Sequence, residues 1–200
     1  MENITMSQQA IQDLLQKFQD GYAQRDPARI DTFMDLVVTS PDLEVIGTNA
    51  IKPDEGEWCR GPEAVRELIL GDWEHWGDVV FDWDGATIFV RGEVAWMATT
   101  ATVTDVITVD YKYDGFVGFA ESVLEEKEMS AKEKLLDITR LGNNLIASLL
   151  WPDTYVWPFR LTGVAVKEDE QWRFHHLHFS FATTEAPDVR NFPDIGPAEM

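Results

Sequence analysis

The residues best suited to chemistry gather near the C-terminal end. His175, His176 and His178, three of the four histidines, fall in a run of strand formers from Trp172 to Ala182. Strand alternation puts Trp172, Phe174, His176, His178 and Ser180 on one face and His175, Leu177, Phe179 and Phe181 on the other. His176 and His178 could converge on a metal. The preceding strand offers no Cys or His as a third ligand, so a structural or interface role is simpler and no metal is expected. His175, on the apolar face, could serve as a neutral general base, although no acid beside it in sequence orients it. Arg160 alternates with Phe159 and Leu161 and faces outward, where an ion pair accounts for it as well as ligand binding does.

Aromatic residues make up 12% of the chain, with eight Trp. Rings such as Trp58, Trp73, Trp83, Trp96, Tyr155, Trp157, Phe159 and Phe179 can line a concave site for planar or apolar molecules, or simply fill an interior. No phosphate-binding glycine loop, nucleophile elbow or Cys-x-x-Cys pair occurs, and no cofactor is expected. Cys59, the single cysteine, cannot form an internal disulfide, which suits a reducing cytoplasm.

The elements that must position these groups follow from periodicity. Ile11, Leu14, Leu15, Phe18 and Tyr22 form one apolar helical stripe. Asp26-Pro27 opens a second short helix burying Ile30, Phe33, Met34 and Val37. Leu43 to Thr48 alternates as a strand, Asn49 to Gly61 reads as a loop, and Gly61-Pro62 begins a third helix carrying Val65, Leu68, Ile69, Trp73 and Trp76. Strands are predicted over Val79–Val90 and Val94–Val109, with a hairpin turn at Arg91-Gly92-Glu93, then over Tyr155–Lys167 and Trp172–Ala182 around Glu168-Asp169-Glu170. Between them, 110–152 reads as a helical insertion, with a capping box at Ser130 and Glu133 and a bend allowed at Gly142-Asn143-Asn144. It would be a lid, a partner-facing arm or a helix packed on the sheet. The organisation expected is one domain over 1–183 and an extended tail over 184–200.

Thirty-six acids against 16 bases leave a net charge of −20, which disfavours nucleic acid and anionic membrane surfaces as partners. The N-terminus has no basic stretch leading into an apolar core, and no apolar run approaches the roughly 20 residues of a membrane span, so a cytoplasmic protein is expected.

The segments "FQDGYAQRDPARIDTF", "RGPEAVRELI", "GEVAWMAT" and "FRLTGVAVKEDEQWRFHHLHFS", in this order, resemble the nuclear transport factor 2-like superfamily in its SnoaL-like branch. The resemblance implies an α+β fold: a cone-shaped, curved antiparallel sheet with three N-terminal helices packed in its concave face. Residues 110–150 lie outside it. It also implies a homodimer formed through the outer sheet face, where Arg160, His176 and His178 would sit. A pocket inside the cone would be lined by Phe18, Tyr22, Trp58, Trp73, Trp96, Tyr155, Trp157, Phe159, His175, Leu177 and Phe179. Steroid-isomerase-type chemistry on this fold needs a carboxylate base, a Tyr and a protonated acid. By alignment those positions fall on Gly47, Phe18 and near Gly163, so all three roles are vacant, with Glu44 and Tyr22 the nearest substitutes. Three functions follow: a binder of a small apolar or aromatic molecule; a cyclase, isomerase or dehydratase with His175 as base; or an assembly module with a filled interior.

Overall fold

The stripe Ile11, Leu14, Leu15, Phe18 and Tyr22 is the buried side of the first helix, α1 (Met6–Gln24). At its start Gln8 N–H donates to Thr5 Oγ1 at 3.2 Å and Thr5 N–H to Gln8 Oε1 at 2.9 Å, a reciprocal cap for the open amides of the first turn. The computed structural model describes residues 5–53, 55–150 and 152–181, with backbone alone at 147 and 148; the tail expected over 184–200 lies outside the described residues. Asp26 caps as predicted: its Oδ1 accepts from Ala28 N–H at 3.0 Å, and Pro27 opens a 3-10 turn (Pro27–Arg29) leading into α2 (Ile30–Met34).

Strand β1 (Glu44–Ile46) is followed by a short strand, β2 (Trp58–Arg60), inside the stretch expected as loop. Three residues are too few for alternation to reveal a strand. Helix α3 (Gly61–His75) starts at Gly61-Pro62 and buries Val65, Ile69 and Trp73. The single strand expected over Val79–Val90 is two, β3 (Asp78–Phe81) and β4 (Thr87–Arg91), because Asp82 Oδ1 accepts from Gly85 N–H at 3.0 Å and folds the chain into a turn. The long strands β5 (Val94–Val106), β6 (Thr154–Glu168) and β7 (Gln171–Phe181) complete the sheet.

The sheet order is β2-β1-β7-β6-β5-β3, with β4 also on β5. It is curved and unclosed, in the α+β architecture expected, and it is mixed because β1 joins β7 in parallel. Helix α1 packs on β3, β4 and β7. Phe18 sits at the centre of the interior, its ring 5.1 Å from Tyr22 and Phe33, 5.4 Å from Phe174 and 5.5 Å from Phe81 between centroids. Much of the aromatic content therefore fills the interior.

The described residues divide into two compact units, one of residues 5–102 and 158–181, the other of residues 103–157. The second holds α4 (Val109–Glu125) and α5 (Ala131–Leu149), which pack on each other. Ser130 and Glu133 form the predicted capping box, and α5 runs unbroken through Gly142-Asn143-Asn144, where the sequence allows a bend. Within this unit Lys112 is buried, its Nζ 3.4 Å from Asp153 Oδ1 and 5.2 Å from the Tyr155 ring centroid.

The β6–β7 turn has positive φ at both central residues, 46° at Asp169 and 64° at Glu170. This backbone favours Asn-Gly, since a Cβ in left-handed conformation costs roughly 1–2 kcal/mol. The double variant Asp169→Asn, Glu170→Gly should raise the melting temperature by about 2–4 °C. An unchanged or lower melting temperature would contradict the turn geometry.

Candidate active site

Helix α3 carries a carboxylate on its apolar side. Val65, Ile69, Asp72, Trp73 and Trp76 follow helical spacing, so the register that buries the flanking residues takes Asp72 inward with them. There it meets Tyr22, whose register on α1 buries it completely: Tyr22 Oη–H donates to Asp72 Oδ2 at 2.7 Å. Oδ1 of Asp72 has no hydrogen-bond partner among the described residues.

Arg25 fixes the two helices behind this pair. Its left-handed backbone (φ 48°) ends α1, its Nε donates to Tyr22 O at 3.0 Å, and its Nη1 and Nη2 donate to the carbonyls of Trp76, at 2.6 Å, and Gly77. Placed just beyond the C-terminus of α3, the guanidinium also complements the helix dipole.

The pair opens on a cleft of about 370 Å³ whose walls include Asn49, Glu57, Asp72, His75, Trp76 and Phe179. The Glu57 carboxylate is held by donors from one loop: Asn49 N–H at 2.9 Å, Asn49 Nδ2 at 3.1 Å and Thr48 Oγ1 at 3.5 Å. It lies over Gly47, where any Cβ would collide with it. The position that lacks a base on β1 is thus covered by a carboxylate reaching in beside β2.

Burial is the main reason the Asp72 carboxyl is raised to about 7, against the Tyr22 hydrogen bond and with the Glu57 charge adding to the rise. Burial, then Asp72 itself, pushes the Tyr22 phenol well above its usual value, so it stays a protonated donor.

The residues singled out from sequence are spread over several sites. Phe179 lines the cleft and Tyr22 supports it; Phe18, Phe159 and Leu177 are buried in the core; Trp73 borders a different cleft. Trp96 stacks on Phe89 at 5.5 Å and is exposed, and Tyr155 and Trp157 stack on each other in the second unit. Trp58 is on the outer sheet face, donating Nε1–H to Glu44 Oε1 at 2.8 Å. That carboxylate also takes Arg60 Nε at 3.2 Å, and its Oε2 is 3.2 Å from His176 Nδ1. Arg160 Nη2 donates to Phe181 O at 2.9 Å, and His178 is half-buried, with its pKa lowered by burial and by the neighbouring His176 and Arg160.

His175 requires a correction. Val164 pairs with His176 and Ala165 with Phe174, so His175 is the extra residue of a β-bulge. The bulge reverses the parity. Phe174 joins Leu177 and Phe179 in the interior, and His175 Nε2 lies 3.3 Å from the exposed Asp42. Its cause is distant in sequence: residues 36–38 pair beside β7, with Val38 N–H donating to Phe174 O at 2.9 Å and Phe174 N–H to Leu36 O at 2.8 Å. Asp72 is hidden because apolar periodicity passes over an acid within a stripe, and Glu57 because it lies in a stretch that reads as a loop. The signal was present: an Asp seven residues after Val65 and three after Ile69, on the buried face.

No protein-family model matches the chain, nor does any curated protein. Solved structures do. A nuclear transport factor 2-like superfamily protein from Salmonella enterica is 16% identical, with 90% of this chain and 94% of that one covered at a TM-score of 0.55. The fold is that of the nuclear transport factor 2-like proteins. A provisionally named dehydratase of this family from Streptomyces avermitilis is 10% identical, with 87% and 95% covered at 0.54. A provisionally named scytalone dehydratase from Novosphingobium aromaticivorans is 14% identical, with 96% and 95% covered at 0.53.

The raised Asp72 pKa fixes the sign of a stability effect. The folded state holds the Asp72 proton more tightly than the unfolded chain, whose Asp titrates near about 4. This contribution is therefore fully present below pH about 4 and is lost as pH rises through about 7. Asp72→Asn, which keeps an acceptor for Tyr22, should match the parent in melting temperature at pH 4 and exceed it by several degrees at pH 8. A difference independent of pH would contradict the buried, raised carboxyl.

Proposed function

We propose that this nuclear transport factor 2-like chain is a proton-transfer enzyme of the isomerase or dehydratase type, acting on a small uncharged molecule in the Asp72 cleft. The observation that carries this reading is a largely buried carboxyl in a cleft, hydrogen-bonded by a buried tyrosine and with one oxygen unpartnered among the described residues, whose pKa burial raises to about 7. A group with that pKa exchanges protons efficiently at physiological pH. In its ionised form Asp72 would take a proton from a carbon next to a carbonyl. The C–H electron pair would pass into an enolate, and the proton would return at another carbon or leave with a hydroxyl as water. The two similar folds bearing dehydratase names support this class of reaction.

The cleft also argues for the kind of substrate. Trp76 and Phe179 supply apolar wall, and among the described residues no Lys or Arg lines it beside Glu57 and Asp72. An anionic substrate would meet uncompensated negative charge, whereas a neutral one would not. The base is assigned to Asp72 because the bulge takes His175 away from Leu177 and Phe179.

Exchange of α-protons in heavy water, followed by NMR over a panel of cyclic and aromatic ketones, tests the reading. An accepted ketone should exchange at a rate that rises with pH to a plateau, with a midpoint near 7. Asp72→Asn should slow it at least about 100-fold. Tyr22→Phe, which removes a hydrogen bond that favours the carboxylate, should move the midpoint upward. Exchange that is unaffected by Asp72→Asn would overturn the assignment.

A further inference from the structure

A second cleft, of about 200 Å³, shares no lining residue with the first. Gly21, Phe33, Leu36 and Trp73 give it apolar walls. Gly21 is indispensable there, since any Cβ at that position would collide with the Phe33 ring. Trp73 is only 7% exposed, and its Nε1–H is covered yet meets no acceptor among the described residues. No other buried side-chain nitrogen or oxygen among those residues is left in this state. An unmet buried donor is costly, and native structures hold few. The cleft beside it is where an acceptor could arrive.

The rim limits what that acceptor belongs to. Lys17 and Arg29 are balanced by Asp20 and Asp26. Two of the four are already engaged: Asp26 Oδ1 accepts from Ala28 N–H, and Arg29 Nη1 donates to Gln24 Oε1 at 2.5 Å. A charge-balanced rim over an apolar floor fits an uncharged ligand, and the volume suits a single substituted ring.

We infer that this cleft binds a small, flat, uncharged carbonyl compound, its ring against Phe33 and Leu36 and its oxygen accepting from Trp73 Nε1–H. Nε1 is covered, so binding requires the side chains around Trp73 to shift and open a path to it. The interaction then discriminates by chemistry as well as shape, since an analogue without the oxygen leaves the indole donor unmet. The inference is independent of the proton-transfer reading.

The test uses the full chain with ¹⁵N-labelled tryptophan, titrated with acetophenone and with α-methylstyrene, which has the same shape and no acceptor. Acetophenone should move the Trp73 indole cross-peak downfield and saturate, while α-methylstyrene should bind at least fivefold more weakly. Trp73→Phe should abolish the preference for acetophenone over α-methylstyrene at this cleft. If Trp73→Phe does not fold, the comparison of the two compounds on the parent protein decides. Equal binding of both compounds overturns the inference, as does an unmoved Trp73 signal, movement of Trp76 in place of Trp73, or a water held at Nε1 that acetophenone does not displace.

Discussion

A single hydrogen bond across an apolar interior, Tyr22 Oη to Asp72 Oδ2 at 2.7 Å, sets the character of this molecule. It draws a carboxyl from α3 and a phenol from α1 into a region otherwise walled by Phe18, Phe33, Phe81 and Trp76 around Tyr22. Burial raises the free energy of the carboxylate, and one hydrogen bond only partly offsets this. The result is a group that is neither firmly ionised nor firmly neutral at physiological pH. Arg25 ties the end of α1 to the chain just after α3, through the carbonyls of Tyr22, Trp76 and Gly77.

The sheet divides its polar groups by face. The inner face presents Val45, Leu161, Leu177 and Phe179 to the helices. The outer face carries a cluster centred on Glu44, which takes hydrogen bonds from Trp58 and Arg60 and approaches His176. The Trp58 indole is the largest of the influences that hold the Glu44 carboxyl below its ordinary value. Charge on that face is neutralised locally. In the Asp72 cleft it is not: Glu57 is held by neutral donors from Thr48 and Asn49, so its charge still reaches Asp72.

Elements defined by long repeats were legible in the sequence. The α1 stripe, the Asp26-Pro27 and Gly61-Pro62 helix starts, the Ser130–Glu133 box and the β6–β7 hairpin all have local causes that act within a few residues. What was not legible depended on distant chain. The bulge at His175 exists because residues 36–38 pair beside β7, and β2 exists because β1 offers it an edge. Tyr22 was expected as a pocket residue from the family resemblance, and its helix position gave only its place in the buried stripe of α1. Its partner Asp72 lies 50 residues on, and only the packing of α1 against the interior brings the two together. Of the aromatic set, ring content indicated a concave interior but could not separate the rings that fill it from Phe179, which borders open space.

The central claim is that the Asp72 carboxyl changes charge near neutral pH. The most direct measurement is its ¹³Cγ chemical shift in the intact chain, followed from pH 3 to pH 9 and assigned by comparison with Asp72→Asn. The account predicts one titration step with a midpoint near 7. A midpoint near about 4, the value of a solvated aspartate, would contradict it.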